Sequence, residues 1–256
     1  MAKRVSLLSR LLLIYPDSDR ESLYARILSG EVFVGGERVR DPRRLVFLDA
    51  EVVFRGREFV SRGGFKLDFA LRDWKVDVRG KVFIDAGAST GGFTDCLLQH
   101  GAASVHTVDV GRNQLAYSLR ADPRVIVHEE TNILSIEKLD PPADAAVADL
   151  SFRSVIGVAR HLLALTREAW LIALVKPQFE LHGAKGVLGD QAPIGSERSG
   201  ERFRGVIKDS ATREAVVEHV AVALSEQGLV VERRLASPIA GRKGNLEYLF
   251  LIRPKV

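Results

Sequence analysis

Four short apolar runs in the chain end in residues that can do chemistry: Asp85, Asp109, Asp149 and Lys176. In a sheet of parallel strands joined by helices, ligands gather outside the carboxyl ends of the strands, so residues in those places are weighed first. Asp85 leads into Gly87-Ala88-Ser89-Thr90-Gly91-Gly92-Phe93, with three glycines within six positions. A buried strand that turns tightly through glycines into a helix brings backbone N–H groups close to a ligand. Asp109 follows Asp85 by 24 positions, close to the spacing at which an acidic residue accepts from a ribose hydroxyl. The same aspartate could instead cap a helical segment beginning at Asn113.

The glycine spacing separates cofactor classes. A dinucleotide loop reads G-x-G-x-x-G, and a phosphate-binding P-loop needs a lysine and a hydroxyl directly after its last glycine. Neither pattern is met. A strand ending in Asp, followed by Gly-x-x-x-Gly, suits a phosphate-free nucleoside cofactor such as S-adenosylmethionine, whose amino-acid end needs close backbone approach. The residues expected to hold it are Asp85, Gly87, Ser89, Thr90, Gly91, Gly92, Phe93, Asp109 and Asp149. Enzymes that methylate an extruded base place Asn/Asp-Pro-Pro-aromatic after the fourth strand, where this chain has Asp149-Leu150-Ser151-Phe152. Asp140-Pro141-Pro142 comes before that run and continues in Ala143. Phe152 and Phe179 could stack on a nucleotide or serve as core.

These residues require a scaffold, and the sequence beyond residue 80 supplies one. Strand-like runs at 82–85, 104–110, 125–128, 144–149 and 170–176 alternate with helical patterns at 91–100, 113–120 and 153–166, which predicts an α/β sheet with helices on both faces. A polar, Gly-rich stretch spans 178–201. An amphipathic helix is expected over 202–227, then strands at 229–232 and 246–252, the last antiparallel. At 46% hydrophobic and 27% charged, the 256 residues have the balance of a globular protein. The run Leu11-Leu12-Leu13-Ile14-Tyr15 is too short to cross a bilayer, and the expected location is the cytoplasm. The single cysteine, Cys96, excludes an internal disulfide and any Cys-rich zinc site, and reads as a packed thiol. No metal is expected.

The net charge of +4 lies wholly in the first 72 residues, where 14 Lys and Arg face 10 Asp and Glu. Such asymmetry is expected where one part of a chain meets a polyanion. Residues 1–57 form a small α+β module: a helix over 19–29, a hairpin turning at Gly35-Gly36, and a closing strand at 51–54. The stretch from Ile27 through Val39 to Val53 resembles the S4 RNA-binding domain. That resemblance implies RNA contact through Arg4, Arg10, Arg38, Arg40, Arg43, Arg44 and, just beyond it, Arg62. The bland alternative is a folding or dimerisation module, and a homodimer is left open.

Taken together, Ser61-Arg62-Gly63-Gly64-Phe65-Lys66-Leu67, Asp85 to Leu98, Val175-Lys176-Pro177-Gln178-Phe179-Glu180 and Lys243-Gly244-Asn245-Leu246-Glu247-Tyr248 resemble the TlyA family, over nearly the whole chain. The resemblance implies an S4-like domain over 1–57 and a linker with a leading helix over 58–80. It implies, over 81–256, an FtsJ-like, Rossmann-like S-adenosylmethionine-dependent methyltransferase sheet, mostly parallel. The implied activity is 2′-O-methylation of ribose in ribosomal RNA, with ribosomal RNA or ribosomal subunits as partner. The FtsJ-like Lys-Asp-Lys-Glu tetrad falls on Lys66, Asp149, Lys176 and Glu247. From the residues alone Lys66 reads as a solvated surface lysine, so the resemblance changes its assignment.

The tetrad has a chemical logic of its own. A ribose hydroxyl must lose its proton as it attacks a methyl group, and a lysine can take that proton when a second lysine and apolar surroundings lower its pKa. Lys176 is the expected base, Lys66 its neighbour and oxyanion stabiliser, and Asp149 and Glu247 orient the two. The competing readings are a structural ion-pair network, an RNA-binding protein without catalysis, and a haemolysin-like membrane-active protein, since TlyA-like proteins have also been described as haemolysins. The last lacks any membrane-spanning stretch in the sequence.

Overall fold

The computed structural model describes residues 4–16, 18, 20–28, 30–54, 59–151, 153–181, 205–241 and 244–255. They form two compact units, Met1–Glu58 and Phe59–Val256.

In the first unit, β1 (Arg4–Ser6) pairs antiparallel with β4 (Leu45–Phe47), and β2 (Val32–Val34) sits between β3 (Glu37–Val39) and β5 (Val52–Phe54). Two helices, α1 (Leu7–Ile14) and α2 (Arg20–Leu28), cover the strands. The expected hairpin and closing strand are present, and Gly35 and Gly36 take the positive φ (+57° and +83°) that a two-residue turn demands. Leu7, Leu11, Leu23, Ile27, Val32 and Val39 close a small apolar core. The β1–β4 pair is additional to the expected elements, as each strand is only three residues long.

The second unit is a seven-stranded sheet in the order β11-β12-β10-β9-β6-β7-β8. Its parallel strands are β6 (Val82–Ala86), β7 (Ser104–Val108), β8 (Val125–His128), β9 (Ala145–Ala148) and β10 (Leu171–Val175). As expected, β12 (Tyr248–Pro254) runs antiparallel, to both β10 and β11 (Leu229–Ala236). Alternating residues of each strand enter two separate apolar layers: Ile84 and Ala86 enter one, Phe83 the other. The first layer packs α6 (Ala159–Ala164) and α8 (Ser210–Glu226), and the second packs α3 (Arg62–Trp74) and α4 (Gly92–Gln99). Cys96 is fully buried in the second, and burial pushes its thiol up.

Three helical expectations are corrected. The segment 113–120 is helical only as α5 (Tyr117–Arg120), because Asn113 adopts a positive φ of +53°. The segment 153–166 splits into a 3₁₀ turn at Val155–Gly157 and α6. The helix expected from residue 202 begins at Ser210, where Asp209 caps it by accepting from Thr212 N at 2.6 Å. Residues 202–204 lie outside the described residues.

Candidate active site

Strand register assembles the site. Ala148 of β9 stands beside Ala173 of β10, and Val175 of β10 beside Tyr248 of β12. Asp149 and Lys176 follow their strands directly and Glu247 directly precedes its own, so three tetrad positions stand at one sheet edge on adjacent strands. The fourth arrives on α3. Ser61 Oγ caps that helix by accepting from Gly63 N at 3.3 Å. A Cβ on Gly63 would lie 3.7 Å from Asp149 Oδ2, so the first turn of α3 rests against Asp149 and Lys66 follows one turn on.

The four groups form two ion pairs. Lys66 Nζ pairs with Glu247 Oε2, and both residues are buried, at 6% and 3% exposure. The surface reading of Lys66 is thereby overturned. Lys176 Nζ lies 2.6 Å from Asp149 Oδ1 and donates to Ser151 Oγ at 3.2 Å. The Phe179 ring centroid is 5.7 Å from the same Nζ, whereas Phe152 lies outside the described residues.

The Lys66–Glu247 pair makes a stability prediction. Removing one member strands the other charge in a dry place, at a cost of about 3 kcal/mol. Lys66→Met should therefore lower unfolding free energy by about that amount in urea melts, and Lys66→Met with Glu247→Gln should recover most of it. Equal losses in the single and double variants would contradict a coupled pair.

The Gly-rich turn lies beside this cluster. The strand order reverses between β6 and β9, which is the switch point where doubly wound sheets open a crevice. Asp85 is fully buried there; its Oδ2 accepts from Thr94 N at 3.0 Å and Thr94 Oγ1 at 2.7 Å. Its Oδ1 has no partner among the described residues. Burial pushes the carboxyl up to about 7 against the Thr94 hydrogen bonds, and the Asp149 charge adds to the rise. Gly87 and Gly91 hold φ of +80° and +93°, and a Cβ on Gly87 would meet Asp149 O at 2.8 Å. A Cβ on Gly92 would strike Ser61 Oγ at 2.2 Å. These three positions require glycine, the first two for conformation as well as space.

Asp109 accepts from Ser89 N at 2.8 Å and from Gly111 N at 2.7 Å. It caps no helix at Asn113, so that alternative is set aside. Thr90 O accepts from Ala116 N at 3.1 Å, and the Phe93 ring is buried in the apolar layer beneath α3.

Among the arginines, Arg4 lies over the Phe47 ring at 4.5 Å, Arg38 over Phe33 at 5.3 Å, and Arg10 reaches Ala50 O at 3.4 Å. Arg44 forms a bidentate pair with Glu37, while Arg40 and Arg43 are exposed. In the second unit, exposed Arg62 donates to Ala240 O at 2.9 Å. Sequence reasoning passed over Ser151, although it stands within the quoted Asp149 to Phe152.

A doubly wound sheet, a Gly-rich turn at its switch point and lysine–carboxylate pairs at the strand ends define a Rossmann-like methyltransferase. The chain belongs to the FtsJ-like methyltransferase family, whose sequence profile matches residues 59–253. It is 43% identical to the 16S/23S rRNA (cytidine-2'-O)-methyltransferase TlyA of Mycobacterium tuberculosis, over 77% of this chain and 69% of that one. It is 37% identical to Hemolysin A of Brachyspira hyodysenteriae, over 87% and 89% of the respective chains. Among solved structures, a candidate hemolysin from Streptococcus thermophilus aligns with a TM-score of 0.66 at 32% identity, covering 100% of this chain and 90% of the other. Among the described residues, no helix is long and apolar enough to cross a membrane.

Proposed function

We propose that the chain is an S-adenosylmethionine-dependent methyltransferase of ribose 2′-hydroxyls in ribosomal RNA, working in the cytoplasm. The observation that carries this reading is the buried Lys66–Glu247 pair set beside Lys176–Asp149 at the carboxyl edge of the sheet. It is supported by the family and by the substrate in the relatives' names.

The turn at Asp85 fits the cofactor. The unpartnered Asp85 Oδ1 suits a cationic amino group, and Asp109 can accept from ribose hydroxyls, while the glycines let the turn pack tightly against Asp149, Leu119 and Ser61. When bound, the cofactor supplies an electrophilic methyl group on a sulfonium. Lys176 Nζ takes the proton of the ribose hydroxyl. Lys66 steadies charge on the attacking oxygen, while Asp149 and Glu247 hold the two amines in place. The first unit is read as an S4-like grip on RNA, with exposed Arg40 and Arg43 meeting phosphates.

The test incubates the protein with ribosomal subunits and methyl-labelled cofactor, then hydrolyses the RNA in alkali. Label in alkali-resistant dinucleotides is expected, because a 2′-O-methyl blocks cleavage of the adjacent phosphodiester. Label confined to bases would reject the reading.

A further inference from the structure

Three side chains of metal-ligating type meet between α3 and α4, apart from the tetrad. Cys96 and His100 stand four positions apart, so the last turn of α4 and its C-cap present both on one face. Asp68 comes from α3, two positions beyond Lys66 and therefore on a different face of that helix. The thiol sulfur, an imidazole nitrogen and a carboxylate oxygen all lie within 4.8 Å of one another. Among the described residues no other three such side chains come together in this way. The place has a dry floor and an open mouth: Cys96 is fully buried, whereas the His100 and Asp68 side chains are 29% and 15% exposed.

We propose that Asp68, Cys96 and His100 bind a divalent transition metal of the zinc class, with water as the fourth ligand. The donor set selects the class. Thiolate and imidazole prefer zinc-like ions to magnesium or calcium, which take oxygen ligands. Three protein ligands with one position left for water fit a tetrahedral ion. Charge balances as well. One thiolate and one carboxylate neutralise a doubly charged cation, so the partly buried site carries no net charge. The single cysteine of the chain excludes a Cys-rich site but leaves a mixed one of this kind open.

Small movements admit the ion. His100 Nε2 and Asp68 Oδ1 share a hydrogen bond of 2.7 Å, and Arg72 Nε donates to the same oxygen at 2.9 Å. Zinc at roughly 2.0–2.3 Å from each ligand sets the ligand atoms about 3.4 Å apart. The Asp68–His100 contact therefore opens by about 0.7 Å, and Arg72, whose side chain is 73% exposed, turns out into water. Burial and the Asp68 charge hold the thiol protonated, so one proton leaves for solvent as the sulfur–metal bond forms. The bound ion clips the helix that carries Lys66 to the helix that follows the Gly-rich turn. Its effect is on stability, not on the proton transfers at the tetrad.

The test titrates Co²⁺, and then Zn²⁺, into chelator-treated, untagged full-length protein. Cobalt should saturate at one ion per chain, with a thiolate-to-cobalt charge-transfer band in the near ultraviolet and the strong visible absorption of a four-coordinate ion, and Zn²⁺ should displace it. Because Cys96 is the single cysteine of the chain, that band reports this site alone. Cys96→Ser should abolish the band. His100→Gln and Asp68→Asn, at partly exposed positions, should weaken cobalt binding by about tenfold or more. Zinc at about a hundred times its Kd should raise the melting temperature of the wild type by about 5 °C or more and leave that of Cys96→Ser unchanged. If Cys96→Ser does not fold, the two partly exposed variants decide alone. Binding without a thiolate band places the ion elsewhere and overturns the proposal. So does a band whose affinity His100→Gln and Asp68→Asn leave unchanged, or the lack of any saturable band.

Discussion

Lys176→Met is expected to lower single-turnover methyl transfer by about 10³-fold, within the range that a positioned general base contributes. The side chain of methionine fills nearly the same space without a charge. Lys176 sits at the N-cap of α7 (Pro177–Glu180) with its amine on Asp149 and Ser151, so the variant loses these two contacts and keeps the strand. Asp149 keeps 27% of its side chain exposed, although the Oδ1 that faces Lys176 is buried. Cofactor affinity, followed by calorimetric titration, should therefore stay within two- to threefold of wild type. A variant that binds cofactor and still transfers at the wild-type rate would remove Lys176 from the chemistry. A variant that loses cofactor affinity in step with rate would reassign it to binding.

The second large effect concerns Asp85 and has opposite signs for stability and binding. The folded carboxyl titrates at about 7, against 3.8 for an unperturbed aspartate. A group raised in this way favours the fold fully below its unfolded pKa, and that contribution drains away as pH rises through the folded value. The difference amounts to about 4 kcal/mol between pH 4 and pH 8, taken as an order of magnitude. Asp85→Asn keeps an acceptor for Thr94 N and Oγ1 and carries no charge. The ligand-free variant should thus be more stable than wild type at pH 8, by up to about 4 kcal/mol in denaturant melts. The two proteins should converge at pH 4. Cofactor binding should weaken by about tenfold or more, since a bound cationic amino group would lose its carboxylate. Parallel stability curves across the range would contradict the raised carboxyl.

The sheet was legible because its signals are local. Runs such as Val82-Phe83-Ile84 end in a charged residue or glycine, and a buried parallel strand imposes that pattern wherever it occurs. Asp85, Asp149 and Lys176 could be singled out for the same reason, as the places where strands stop. Lys66 could not. What buries it is Glu247, 181 positions away, and nothing within its own helix distinguishes it from a solvated lysine. The helix expected over 113–120 failed on backbone conformation. Asn113 takes a left-handed φ that periodicity does not register, and the helical turn waits until Tyr117.

The position of β12 has a consequence for the birth of the protein. It follows every other described strand in sequence, yet it lies inside the sheet, between β10 and β11. On a translating ribosome, β10 must keep an open edge until residues 248–254 emerge, and Glu247 arrives with them. Chains are made at roughly 5–20 residues per second, so that edge is bare for seconds in each nascent chain. Until then Lys66 has no counter-ion and the tetrad is one acid short. A truncated product of translation would thus carry a finished Gly-rich turn but only three of the four tetrad groups.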